Sequence, residues 1–325
     1  ISFAQAYHGP TMETLALTGR PGLHGPFGPY LPQHIHIPPS TSRADPTGRS
    51  ALDALDRVLE QAGPDTVSAF FCEAISAAAL PASTPPPGFW EGLAERRERH
   101  GFLVCFDEVV TGVGRTGRWF AGEETACTPD IIATAKGLGA GYAAIGAVLC
   151  REPVYDAVAN GSRRFPLGHT WDGAPLSCAV GLAVLEALRS EKLIPNVEER
   201  GRRLRDELEA ALAGVSIVQE VRGHGYLLGV SFADPRDGSF LPRELRVAGR
   251  IDQAAFEREL ITLSTQPTRD GYAGDQSLFA PPFTTTDDEL AEMVSRFADA
   301  VHRVAQDVEP ELDRSSSPTT TGAER

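Results

Sequence analysis

Two apolar runs, one ending on acids and the next on a lysine among glycines, restrict this chain more than any other feature. Phe102 to Phe106 (FLVCF) has the length and composition of a strand buried on both faces of a parallel sheet, and it stops at Asp107 and Glu108. Ile131 to Ala133 is a second apolar segment, followed by Lys136 and the glycines Gly137, Gly139 and Gly141. The preceding residues repeat the alternation. Ala51 to Gln61 carries Leu52, Leu55, Val58 and Leu59 on one helical face, Val67 to Cys72 reads as a buried strand ending at Glu73, and Phe89 to His100 reads as an amphipathic helix. Strand, helix and strand again make the right-handed crossover of a parallel α/β sheet. Ligands of such sheets collect beyond the C-terminal strand ends, so Glu73 and Asp107 are candidate site residues.

An acid and an amine at neighbouring strand ends suit a particular chemistry. A lysine can form a Schiff base with an aldehyde cofactor, while a carboxylate facing a pyridine nitrogen keeps it protonated so that the ring accepts electrons. Taken singly, Lys136 also fits a solvated lysine and Asp107 a turn cap. Gly112, Gly114 and Gly117 spell G-x-G-x-x-G, but RWFAGEE follows rather than a capped apolar helix, which removes the context of a dinucleotide turn. LVCFDE alone could end a magnesium-binding ATPase strand, yet no G-x-x-x-x-G-K-[ST] precedes it.

The string FDEVVTGVGRTGRWFA, followed by TPDIIATAKGLGAGYAAIGAVL, resembles the class III aminotransferases, pyridoxal 5'-phosphate (PLP) enzymes of fold type I. The resemblance runs from Tyr7 to Phe283. It implies that Asp107 meets the pyridine nitrogen, Val109 lies against the ring face and Lys136 is the catalytic Schiff-base lysine. Tyr7, His8, Gly9 and Thr11 match a Y-H-G-x-T motif whose aromatic residue stacks on the cofactor, with His8 as a hydrogen-bonding support; without the resemblance Tyr7 would read as a core aromatic. Glu73 matches a glutamate beside the cofactor, although the family's next residue is proline and here it is Ala74, leading into ISAAALPASTPPPG. Thr170, in GHTWDGAP, matches a threonine that reaches the cofactor phosphate of the neighbouring subunit, which implies a homodimer with a shared site. On its own such a threonine is most often a helix cap.

The implied fold is α/β: a large domain over residues 1–192, with a mostly parallel sheet and helices on both faces, and a smaller α+β domain over 193–306. Within these, Ala174 to Leu188 reads as a small-residue helix packed between layers, and Asn196 to Ala213 as a charged amphipathic helix. Ile217 to Phe232 reads as a strand pair about a glycine turn. Helices Val247 to Leu260 and Asp287 to Val304 flank a strand, Ser277 to Ala280, and Thr286 with Glu289 forms a capping box. The polar residues 307–325 are expected to be disordered. Family members carry a long segment with a glycine-serine phosphate turn before their Y-H-G motif; this chain opens at ISFAQAYHGPT, so the resemblance implies either a fragment of a longer enzyme or a truncated gene product.

A net charge of −14 argues against nucleic acid or anionic membrane as partners. The five cysteines, Cys72, Cys105, Cys127, Cys150 and Cys178, are scattered without C-x-x-C pairs and read as reduced core thiols of a cytoplasmic protein. There is no apolar run of transmembrane length and no charged-then-apolar leader. His24, His34 and His36 lack further ligands at metal spacing, so no metal is assigned. The expected function is transamination from an amine or amino acid donor to a keto acid or aldehyde acceptor. Alternatives are an aminomutase, racemase or decarboxylase on the same fold, or a cofactor-free remnant acting as a binding protein. The substrate is not legible: Arg269 is the one arginine between Leu260 and Phe283, and it aligns with no carboxylate-binding role.

Overall fold

The computed structural model describes residues 1–265 and 274–315. In chain order its strands and α-helices are β1 (Ser2–Phe3), α1 (Met12–Leu17), α2 (Pro21–His24), β2 (His36–Ile37), α3 (Arg49–Ala62), β3 (Ala69–Cys72), α4 (Pro87–His100), β4 (Leu103–Asp107), β5 (Ile131–Thr134) and β6 (Ala147–Cys150). There follow α5 (Glu152–Asn160), α6 (Pro175–Ser190), α7 (Leu193–Ala211), β7 (Val218–His224), β8 (Leu227–Phe232), α8 (Val247–Phe256), β9 (Leu263–Ser264), β10 (Gln276–Phe279) and α9 (Asp287–Ser315).

The first sheet has the order β2-β1-β3-β4-β5-β6. Its neighbours run parallel except β5 and β6, which are antiparallel. Helices α3 and α4 bury Leu52, Leu55, Phe89 and Leu93 against Phe70, Val104 and Phe106 of the sheet, so the apolar spacing of these helices is spent on one core. Helix α4 ends at Gly101, whose φ of 74° is the left-handed conformation that stops a helix and turns the chain into β4. Register then brings three strand ends level: Cys72 pairs with Phe106 and Asp107 with Ala133.

The second sheet, β7-β8-β10-β9, is antiparallel throughout. It shares a core with α7, α8 and α9 that includes Leu204, Leu208, Phe232, Ile251 and Phe297. Thr286 and Glu289 exchange the bonds of a capping box at the start of α9.

Several expectations need correction. Helix α9 continues to Ser315, past residue 307 where the polar composition suggested disorder, because its apolar period persists: Val301, Val304, Val308 and Leu312 are all buried. Residues 316–325 lie outside the described residues, as does Arg269. Helix α6 does not pack between layers: within the chain it buries Gly181 and Leu188 but leaves Leu176 77% and Leu182 69% exposed. Cys72, Cys105 and Cys127 are core residues, but Cys150 and Cys178 are exposed, since β6 is an edge strand and α6 is left largely uncovered within the chain. No helix among the described residues is long and apolar enough to cross a membrane.

Candidate active site

Five of the seven sequence-derived candidates, His8, Glu73, Asp107, Val109 and Lys136, lie around the level ends of β3, β4 and β5. Asp107 closes β4 with its carboxylate held twice, Oδ1 accepting from the Val109 amide at 3.0 Å and Oδ2 from His8 Nδ1 at 2.9 Å. The His8 ring is fully buried, stands edge-on to Phe71 with centroids 5.2 Å apart, and is anchored through its own amide to Thr18 Oγ1 at 2.9 Å. Its Nε2 is buried without a hydrogen-bond partner. An imidazole that spends one nitrogen on a carboxylate and leaves the other dry is the kind of unsatisfied buried group that marks a functional site.

Glu73 follows β3 on the same edge and accepts from the Ala77 amide at 3.0 Å and from Ser76 Oγ at 3.2 Å. Burial raises its carboxyl to about 7; Asp107 adds to the shift, and His8 with the two hydrogen bonds opposes it. Thus His8, Glu73 and Asp107 form one electrostatic cluster, the two acids from the ends of β3 and β4 and the histidine from the segment between β1 and α1.

Lys136 stands where the sequence put it, at the end of the strand beside Asp107. Ala133 pairs with Asp107 and accepts from the Glu108 amide at 2.8 Å, and Lys136 then opens a short 3-10 turn, Lys136–Leu138, with a φ of 38°. A positive φ at a non-glycine residue is costly and concentrates at functional positions. The Lys136 ammonium pairs with no carboxylate among the described residues, which leaves the amine available for covalent chemistry.

The remaining candidates are placed differently. Tyr7 adjoins His8 and is half-buried, without a bond to Asp107 or Lys136. Thr170 is exposed in the loop before α6 and its hydroxyl has no partner among the described residues; it is not a cap, because α6 starts behind Ala174. Among the described residues no cluster of His, Cys, Asp or Glu could hold a metal.

Glu108 is the site residue for which the sequence suggested no role. It is fully buried and accepts from Thr111 Oγ1 at 2.6 Å, the Ala121 amide at 3.0 Å and the Gly122 amide at 2.7 Å, fastening the loop after β4 back onto its own strand. The Asp-Glu pair at a strand end was the available signal, since side chains alternate along a strand and only one of the two could face the site. A cleft of about 510 Å³ between the sheets, touched by Gln5, Ser83, Arg222 and His224, contains neither Asp107 nor Lys136. Reactive groups, not cavity size, therefore locate the site.

Comparison with known proteins agrees with this chemistry. The family model for aminotransferase class-III matches residues 1–301. The uncharacterized aminotransferase YodT of Bacillus subtilis (strain 168) is 35% identical over 93% of this chain and 70% of its own length. A diaminobutyrate--2-oxoglutarate transaminase of Halomonas elongata is 33% identical over 94% of this chain and 66% of its own. Among solved structures, a transaminase from the marine bacterium Virgibacillus superposes with a TM-score of 0.88 at 28% identity, covering 94% of this chain and 68% of that one. The omega transaminase of Pseudomonas jessenii in complex with PMP superposes at 0.85 with 28% identity, covering 95% and 69%. The chain thus spans about two thirds of the length of these relatives.

Proposed function

Since the chain belongs to the class III aminotransferases, fold type I enzymes that transfer amino groups with pyridoxal 5'-phosphate, we propose that Lys136 is its catalytic residue and that Asp107 holds the cofactor's pyridine nitrogen. The side chains fit that cofactor: an acid and an amine end adjacent strands, a valine follows the acid, and a buried imidazole nitrogen beside them still lacks a partner. The cofactor, when bound, supplies an aldehyde for the lysine and a ring that accepts electrons.

The chain's own residues do the rest. Lys136 would hold the cofactor through its amine, and the free amine would carry the proton that leaves the donor's α-carbon. Asp107 is held in one orientation by the Val109 amide and by His8, so its carboxylate need not reorganise during the reaction. Val109, its amide bonded to Asp107, would lie against a ring face, and Tyr7 is the aromatic that would stack on the ring. Glu73, next to His8 and Asp107, sets the charge of the cluster.

Thr170 is read as the residue given to a neighbouring subunit's phosphate, which makes the active form a homodimer with shared sites. Support comes from the face that carries it: Phe165, Leu167, Trp171, Leu176 and Leu182 are each at least 69% exposed in the single chain. The substrates are an amine or amino acid and a keto acid or aldehyde. Five free cysteines suit a reducing compartment, the cytoplasm.

The observation that carries the proposal is the registered pairing of Asp107 with Ala133, which brings Lys136 to the neighbouring strand end. The test is to load the full-length protein with PLP, reduce with borohydride and map the added mass. Attachment to the Lys136 peptide, lost in Lys136→Ala, is expected; attachment elsewhere overturns the assignment, and no binding at all favours a cofactor-free binding protein. Turnover that needs no acceptor would instead indicate an aminomutase, racemase or decarboxylase.

A further inference from the structure

The glycine-rich segment 112–117 is not a nucleotide turn, and its central residue has an unusual environment. Arg115 is largely buried yet pairs with no carboxylate among the described residues. Its guanidinium donates from Nη1 to two backbone carbonyls, Pro281 O at 2.6 Å and Tyr226 O at 3.2 Å, and Cζ lies 4.5 Å from the centroid of the Phe283 ring. Its own carbonyl accepts from the Tyr226 amide at 3.0 Å. Burial lowers the guanidinium to about 10, which leaves it a cation at neutral pH. Tyr226 is the turn between β7 and β8, and Pro281 follows β10, so one side chain ties two points of the second sheet to a loop of the first.

The segment is built for that approach. A Cβ on Gly114 would lie 2.9 Å from Ile194 Cγ1, and one on Gly117 would lie 2.8 Å from Glu198 Cβ; both glycines also have positive φ, 97° and 84°. The loop therefore presses its backbone against α7. Its other side faces the lysine: Val113 shares a small apolar cluster with Leu138, and a Cβ on Gly137 would meet Val113 Cβ at 3.6 Å. Glu108 and Thr134 pin the start of the loop, the threonine hydroxyl donating to Glu108 O at 3.3 Å.

We propose, on the reading of Lys136 given above, that Arg115 is a positioning residue: it clamps the β7–β8 turn and the segment after β10 to the loop 112–117, and through Val113 it fixes the Lys136–Leu138 turn. A cation bonded only to carbonyls and an aromatic face suits this task, since it holds backbone without a carboxylate that would compete for the lysine. No hydrogen bond or ion pair among the described residues joins it to Asp107 or Lys136, so it acts through the backbone that it holds. Its effect is to make the position of the attachment lysine depend on how the second sheet sits.

The test uses the full-length protein without cofactor, followed by amide hydrogen exchange, with Arg115→Met and Arg115→Lys as variants. In Arg115→Met the peptide covering residues 135–142 should exchange about tenfold faster or more, the scale of one lost charge-assisted bond, while β3 and β4 keep their protection. Arg115→Lys, whose ammonium retains the charge but not the fork, should fall between the two and keeps the test open if the methionine variant does not fold. In the loaded enzyme, kcat should fall with KM changed less. Unchanged exchange at 135–142, or faster exchange spread evenly over both sheets, overturns the proposal. Borohydride mapping on the unaltered protein tests the Lys136 assignment separately, so failure of one is distinguishable from failure of the other.

Discussion

Glu73 is the residue through which pH should act on this fold. Its folded carboxyl titrates near 7 against an ordinary value of 4.5. The folded protein therefore holds a proton that the unfolded chain has released, and stability falls as pH rises from about 4.5 to about 7, then levels off. Glu73→Gln keeps the acceptor for the Ala77 amide but abolishes the titration. Urea unfolding should show a flatter pH profile between 5 and 8, with a gain at pH 8 of at most about 3 kcal/mol. An equal pH dependence in both proteins would count against the cluster. Asp107→Asn should cut kcat roughly a hundredfold, the scale of losing one preorganised electrostatic partner. His8→Asn, which removes one of the two bonds that hold Asp107, should cost about tenfold. If the His8 change proves the more damaging, His8 does more than orient the acid.

At the scale of elements, α9 carries the clearest prediction. Its last turns bury Val308 and Leu312, at 0% and 2% exposure, in the core under the second sheet. Leu312→Ala should destabilise by about 2–4 kcal/mol, the usual cost of emptying a buried leucine position, and cutting the chain after residue 306 should cost more. Denaturant midpoints would register both, and a neutral Leu312→Ala would mean that the end of α9 contributes nothing. The loop after β4 should respond to Glu108→Gln, because a neutral amide accepts more weakly from Thr111 Oγ1 and from the amides of Ala121 and Gly122.

For the whole molecule, the exposed apolar face of α6 and the loop before it predicts self-association. Leu176→Asp together with Leu182→Asp should yield monomers by light scattering and abolish transamination, with the fold retained by circular dichroism. Thiol labelling reads the same surface. Cys72, Cys105 and Cys127 should stay unreactive in the native protein, because burial raises each thiol as well as hiding it. Cys178, exposed on α6 of the single chain, should label faster in the double variant than in the unaltered protein.

The strand-and-helix alternation, the two acids and the lysine at strand ends, and the family to which they belong were legible before folding, because each is written in short contiguous patterns of apolar period and residue order. The folded chain was needed to reveal which strand ends lie level, that His8, anchored to Thr18, bonds Asp107, and that Glu108 turns inward to hold its loop. It also showed that β6 runs antiparallel, that α6 is left uncovered within one chain, and that α9 continues past residue 307. These depend on contacts between residues far apart along the chain, and a local pattern carries no record of register, strand direction or what covers a helix face. The G-x-G-x-x-G segment shows the division most plainly. Its glycines announce close backbone approach, but only the fold reveals that the approaching partners are α7 and the β7–β8 turn.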